Sequence, residues 1–315
     1  MDPEPGSHQV MIRVRATSLN YRDQAIVTGK YLMPVSRDII PLSDGAGEVV
    51  AVGAGVTRFK PGDRVMGLFF QGWIAGPHPG WHLALGNPFD GMLAEHVLLD
   101  EQSVVAMPAN LSFEEAATLP CAPLTAWHGL YHAGKSLRAG DTVLLLGTGG
   151  VSIAALQFAK LAGARVIITS SNDEKLARAK ALGADEVINY KSTPEWEKEV
   201  HRLTHGRGVD TVVEVGGPGT LNRSFTSVCV GGKVLLIGVL GGRAGESNPM
   251  MVMVKNANMH GVIVGSRLMF EEMNRAIEIN NLKPVVDRVF PFEQAKEAYH
   301  LAASGEFFGK IVITV

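Results

Sequence analysis

The stretch TVLLLGTGGVSIAALQFAKLAGARVIITSSNDEKLARAKALGADEVINY, running from Thr142 to Tyr190, decides the fold. Four apolar residues, Val143 to Leu146, lead into Gly147-Thr148-Gly149-Gly150, and small and apolar residues at helical spacing begin at once. Strand, tight turn and helix therefore follow without a linker. A second apolar run, Val166 to Ile168, ends roughly 20 residues after the first glycine, which is the spacing of a βαβ unit that binds a dinucleotide. The diphosphate then sits on the helix N-terminus, at Gly149, Gly150, Val151 and Ser152, where free N–H groups and the helix dipole favour an anion. Ser152 stands where the G-x-G-x-x-G fingerprint has its third glycine, so helix and strand need slightly more room there.

The end of the second strand bears on which nicotinamide cofactor is bound. An NAD site wants a carboxylate there to hold the ribose hydroxyls, and Thr169-Ser170-Ser171 offers none. Asp173 and Glu174 come just after, but Ser171 with Glu174 three residues on has the form of a capping box, which gives acids in a first helical turn a structural reason. Lys175 and Arg178 follow on the same helix, placed either for a 2′-phosphate or simply as a solvated face. NADPH is expected ahead of NADH.

At 315 residues the chain exceeds one ordinary core and suggests two domains. Its 46% hydrophobic and 19% charged residues are those of a folded globular protein, and a net charge of −2 gives no reason to expect nucleic acid or an anionic membrane. Cys121 and Cys229, far apart, make neither a disulfide framework nor a four-thiolate zinc site. The start MDPEPGSHQV lacks the pattern of a secretory signal, and no apolar run approaches the ~20 residues that span a bilayer. A cytoplasmic location is expected.

Outward from the central stretch, QVMIRVRA at the N-terminal end alternates as a half-buried strand does. Short β-rich runs punctuated by glycines and by Pro61-Gly62-Asp63 continue it, which argues for a small bent β-barrel. Residues 69–92 form a long loop rich in Phe, Trp, Pro and Gly, read equally as an aromatic-packed surface loop or as a substrate loop. Its His78 and His82 are separated by Pro79-Gly80, which forbids the helix that would bring them together on a metal. Ser112 and Glu115 are spaced as a capping box. From Val143 the pattern yields six strands with helices between, the number expected of a doubly wound sheet. After a helix with an apolar stripe at Met269, Met273, Ala276 and Ile277, the closing KIVITV has the character of the first barrel. The chain is thus expected to return to its first domain: residues 1–118 and 267–315 in one, 119–266 in the other.

The stretches RVRATSLNYRD, GEVVAVGAGVTRFKPGDRV, ATLPCAPLTAW, GDTVLLLGTGGVSIAALQFAK, LGADEVINY, GVDTVVEVGG, GGKVLLIG and GEFFGKIVI together resemble the zinc-independent medium-chain dehydrogenase/reductases of the quinone oxidoreductase, or zeta-crystallin, group. The resemblance spans nearly the whole chain. It implies an α/β architecture of a GroES-like β-barrel catalytic domain and a Rossmann domain with a doubly wound parallel sheet, and NADPH-dependent reduction of a carbonyl or activated double bond. Asn20 stands where zinc relatives carry a ligand cysteine, and Ser43-Asp44 where they carry a His-Glu pair. Residues 67–92, the place of a structural-zinc lobe, contain no cysteine, so no zinc is expected. The resemblance assigns Asn20 and Tyr31 to the catalytic site as hydrogen-bond donors. It places Thr125 near the nicotinamide, Ser171, Lys175 and Tyr190 around the adenosine phosphate, and Gly216, Gly238, Gly265, Ser266 and Lys310 along the cofactor. It also implies a homodimer paired through an edge of the Rossmann sheet, and strands before the position of Pro3 that this chain lacks.

Three functions compete on this basis: hydride delivery to a quinone or enone, metal-free alcohol oxidation or aldehyde reduction, and NADPH binding with little chemistry.

Overall fold

Period-two patterning lays down the first strand, β1 (Gln9–Ser18), in which Val10, Ile12 and Val14 are buried between half-buried neighbours. The computed structural model describes residues 4–35, 37–242 and 244–315. The segment Met1 to Pro3, on which the expectation of missing strands bears, lies outside the described residues. After β1 come α1 (Tyr21–Val27), β2 (Asp44–Val52), β3 (Arg64–Gly67), β4 (His96–Asp100), β5 (Val104–Ala106) and α2 (Phe113–Ala116). Helix α3 (Ala122–Trp127) passes into a π-helical turn, His128–His132. Alternation then sets in with β6 (Thr142–Leu145), α4 (Gly150–Leu161), β7 (Arg165–Ser170), α5 (Asp173–Ala181), β8 (Glu186–Asn189) and α6 (Trp196–Leu203). It continues through β9 (Val209–Glu214), α7 (Pro218–Ser227), β10 (Val228–Leu236), α8 (Met250–Val254) and β11 (Asn258–Gly261). The chain closes with α9 (Arg267–Ile279), β12 (Val286–Pro291), α10 (Ala295–Ser304) and β13 (Lys310–Thr314).

Two compact units result, one of Met1–Leu124 with Val264–Val315 and one of Thr125–Ile263. In the first, a sheet runs β12-β13-β1-β2-β3-β5, with β4 also paired to β1. β1 is its hub, antiparallel to β2, β4 and β13, and two register shifts against β2 bend it enough to meet three partners. Thr17 lies opposite Ile313 and Ser18 opposite Val312, so the last strand is stitched to the first. Val10, Ile12, Val14, Val49, Val65, Leu99 and Val104 pack one core, while Leu19, Leu42, Phe290, Ile311 and Ile313 pack another against Ala298 of α10. The 69–92 loop takes its packed form: Phe69, Phe70 and Trp73 are buried, and Phe70 meets Trp73, His78 and Trp81 edge to face.

The second unit has six parallel strands ordered β11-β10-β9-β6-β7-β8, a doubly wound sheet whose order reverses between β6 and β9. All four residues of β6 are buried, as befits a strand covered on both faces.

Local details differ from expectation in two places. The cap of α5 is Asn172, whose Oδ1 accepts from Lys175 N at 3.0 Å, and not Ser171. Both are good N-cap residues, and the helix starts one residue later than the Ser171–Glu174 spacing implied. The apolar stripe of α9 is Phe270, Met273 and Ile277 with Asn274, rotated from the Met269–Ala276 line. The Ser112–Glu115 box forms in both directions, at 3.2 and 2.8 Å.

Candidate active site

In the second unit, the turn after β6 needs glycine at its first position because Gly147 has φ +74°, a left-handed conformation that costs side chains energy. Gly147 N donates to Thr169 Oγ1 at 3.3 Å, tying the turn to the end of β7. A Cβ at Gly149 would meet no atom within 4 Å, so this face of the turn is open. Gly149 is the N-cap of α4 and no side chain caps it, which leaves the first-turn N–H groups, those of Gly150 and Val151 among them, to an anion. Ser152 is accommodated by donating its hydroxyl to Leu146 O at 2.7 Å, so the missing third glycine is replaced by a strand-to-helix hydrogen bond.

The register of β7 with β8 puts Ser170 opposite Asn189, and Tyr190 N donates to Ser170 O at 3.0 Å. Ser171, Tyr190 and the first turn of α5 carrying Lys175 therefore share one edge of the sheet. No carboxylate ends β7, and Asp173, the first that follows, accepts from Asn189 Nδ2 at 2.7 Å. Gly216 and Gly238 follow β9 and β10 at the same carboxyl edge. Each is close-packed: a Cβ would lie 2.3 Å from Thr220 Oγ1 at Gly216 and 2.7 Å from Val215 O at Gly238. Thr125 is buried in α3.

In the first unit, Gly265 packs against Leu124, and Ser266 is the buried N-cap of α9. Lys310 is engaged by protein groups of the first unit. Its ammonium, 4% exposed, donates to Leu19 O at 2.6 Å, to Asn20 Oδ1 at 2.6 Å and to Asp44 Oδ2 at 3.5 Å. Asp44 is wholly buried; burial pushes its carboxyl up to about 6, against the restraining influence of Lys310 and Asn20. Beside it Asp23, also buried and pushed upward by burial, accepts from Asn20 N at 2.8 Å. Asn20 Nδ2 is buried with no acceptor in full hydrogen-bonding geometry, though it bears on Asp44 and lowers that carboxyl.

Tyr31 belongs to the same unit through Arg22. The buried guanidinium lies over the rings of Tyr31 and Phe69, at 5.1 and 4.6 Å, and donates to Leu85 O, Asn87 O and Tyr31 Oη. Burial raises the Tyr31 phenol, so its proton stays in place at neutral pH. Its oxygen already accepts from Arg22, which directs the phenol to donate elsewhere. Arg22 and Cys121 are the members that sequence reasoning missed. The Cys121 thiol is pushed up by burial and by Asp44, so it is held as a thiol.

Zinc does not suit these donors. An amide, a hydroxyl and a carboxylate already paired with an ammonium stand where thiolate, imidazole and unpaired carboxylate are wanted, and Lys310 would repel a divalent cation. Among the described residues, no group of three or more His, Cys, Asp or Glu could hold a metal ion.

Two family models match the chain, alcohol dehydrogenase GroES-like domain over residues 6–109 and zinc-binding dehydrogenase over residues 150–279. A zinc-type alcohol dehydrogenase-like protein of Schizosaccharomyces pombe is 43% identical over 98% of this chain and 91% of its own length. A quinone oxidoreductase of Pongo abelii is 30% identical over 99% of this chain and 90% of its own. Among solved structures, an NAD-dependent alcohol dehydrogenase superposes with a TM-score of 0.89 at 37% identity, covering 99% of this chain and 93% of that one. A 2-octenoyl-CoA carboxylase reductase in complex with NADP and 2-octenoyl-CoA superposes with a TM-score of 0.89 at 26% identity, covering 99% and 80%.

Proposed function

The chain belongs to the medium-chain dehydrogenase/reductase family, and on that premise we propose that this NAD(P)-dependent oxidoreductase is a metal-free, NADPH-dependent reductase of quinones, enones or related conjugated carbonyls. The observation that carries the proposal is the buried Asn20 amide, whose carbonyl is held by Lys310 and whose Nδ2 has no acceptor in full hydrogen-bonding geometry. Reduced nicotinamide, when bound, supplies the hydride. Asn20 Nδ2 and Tyr31 Oη are the donors that meet negative charge as it builds on the substrate oxygen. Arg22 strengthens the phenol as a donor by hydrogen-bonding its oxygen.

The cofactor's diphosphate is assigned to Gly147, Gly149, Gly150 and Val151, and its adenosine phosphate to Ser171, Lys175 and Tyr190. Thr125, Gly216, Gly238, Gly265 and Ser266 are assigned along the rest of it. The absence of a carboxylate at the end of β7 and the engagement of Asp173 by Asn189 support NADPH, as does the NADP complex of the carboxylase reductase. The name of the NAD-dependent alcohol dehydrogenase favours the second reading, metal-free alcohol oxidation or aldehyde reduction. A homodimer is assigned to the β11 edge, whose backbone groups lack a strand partner on one side among the described residues and whose Met259 is exposed along with Met250 and Met253 of α8.

Purified protein is mixed with NADPH and a panel of quinones and enals, and loss of the reduced-nicotinamide absorbance is followed. Turnover is expected to fall about 10²-fold or more in Asn20→Ala, with NADPH affinity kept. No turnover of any member by protein that binds NADPH tightly refutes the proposal; activity confined to simple alcohols with NAD(P)+ moves it to the second reading.

A further inference from the structure

We propose that Lys310 is a positioning residue, whose buried ammonium grips the Asn20 carbonyl and thereby turns the amide nitrogen toward the substrate oxygen. This rests on the function proposed above and assigns Lys310 a task other than holding the cofactor.

Asn20 begins α1 with extended backbone, φ −125° and ψ 161°, which is the geometry of an N-cap. Asn20 and Asp23 have the arrangement of a capping box, in which Asp23 N donates to the Asn20 main-chain O at 3.0 Å and faces the Asn20 side chain. The reciprocal bond runs from Asn20 N to the Asp23 carboxylate at 2.8 Å. The short, charge-assisted bond to Oδ1 comes from Lys310 Nζ at 2.6 Å. An ammonium only donates, so whatever faces it must be the carbonyl end of the amide, and the nitrogen must face away.

The ammonium has three protons and three acceptors: Leu19 O, Asn20 Oδ1 and Asp44 Oδ2. None remains for a phosphate. Lys310 reaches this place because β13 lies beside β1, with Leu19 N donating to Ile311 O at 3.1 Å just beyond the paired strands. Asp44 balances the charge, which lets an ammonium stay buried. Asn20 Nδ2 has no acceptor in full hydrogen-bonding geometry; one of its two protons bears on Asp44 and lowers that carboxyl, which leaves the other available to an acceptor. A buried donor without a partner is unstable by itself, and a carbonyl oxygen gathering charge relieves it.

The test compares Lys310→Met, Lys310→Arg, Asn20→Ala, the double variant Asn20→Ala/Lys310→Met and the charge-neutral double variant Lys310→Met/Asp44→Asn. The last removes both buried charges together, so it tests the idea even where Lys310→Met fails to fold. NADPH affinity is read by fluorescence titration and kcat with a quinone. Loss of the ammonium is expected to lower kcat about tenfold to a hundredfold, with the NADPH Kd within about threefold. Lys310→Arg should recover most of the rate, and Asn20→Ala/Lys310→Met should be no slower than Asn20→Ala. A tenfold loss of NADPH affinity with kcat kept, or rate losses at residues 20 and 310 that multiply, overturns the proposal. Should the wild type reduce no quinone or enone, the function falls, and the side-chain amide resonances of Asn20 decide the positioning role. Displacement of that pair in the Lys310→Met/Asp44→Asn protein, beyond its displacement in Asp44→Asn, supports the role, and coincidence of the two overturns it.

Discussion

Asp44 makes the stability of the first unit depend on pH in the direction opposite to that of a salt-bridged surface carboxylate. Its carboxyl stands at about 6 in the folded protein against a reference of 3.8. Between those values the folded state holds a proton that the unfolded chain has released, so stability falls as pH rises through this window. At about 1.4 kcal/mol per pH unit the whole effect is about 3 kcal/mol, and roughly 2 kcal/mol of it falls between pH 4.5 and 7. Other carboxylates obscure this in the wild type alone: Asp90, Asp185, Asp210 and Glu101 are all held below their usual range by hydrogen bonds, and their contribution is lost in acid. Asp44→Asn isolates the one group. Urea unfolding of both proteins at several pH values should show the stability difference between wild type and variant moving by roughly 2 kcal/mol against the wild type from pH 4.5 to 7. Parallel curves would mean that Lys310 fully offsets the burial of Asp44, and the reasoning would fail.

Gly147→Ala forces a side chain into φ +74° and should cost about 1–2 kcal/mol in urea unfolding, with weaker NADPH binding as the turn shifts. Ser152→Ala removes the hydroxyl donated to Leu146 O and should cost about 1 kcal/mol in the same assay; a neutral result would show that the contact is incidental. If the α5 cation meets a 2′-phosphate, Lys175→Ala raises KM for NADPH while leaving KM for NADH nearly unchanged, which steady-state kinetics with both cofactors reads directly.

The Rossmann unit is legible because its signals are local: four apolar residues, a glycine turn and a helix in one stretch leave no other arrangement that buries them. The return of KIVITV to the first sheet is legible from β character alone, and its register with β1 is what fixes Lys310. That lysine's partners are not legible, since a contact between residues 310 and 20 depends on the pairing of strands at opposite ends of the chain. Resemblance gave Lys310 to the cofactor region, and the backbone register adds its contact with Asn20. The role of Arg22 was hidden for a similar reason: its acceptors, Leu85 O and Asn87 O, lie in a loop whose path its own sequence does not announce. At the start of α5 the failure is of another kind, because Ser171 and Asn172 are both competent caps and only the geometry of the turn chooses between them.

The seam between β1 and β13 also sets a timetable for synthesis. Residues 125–263 have left the ribosome before the final strand is made, so the nucleotide-binding unit is complete in sequence while the barrel still lacks a neighbour for its central strand. Until Lys310 emerges, Asp44 lacks the ammonium that pairs with it and Asn20 the charged donor on its carbonyl. The cluster proposed to carry the chemistry is thereby completed only after residues 125–263 have been made.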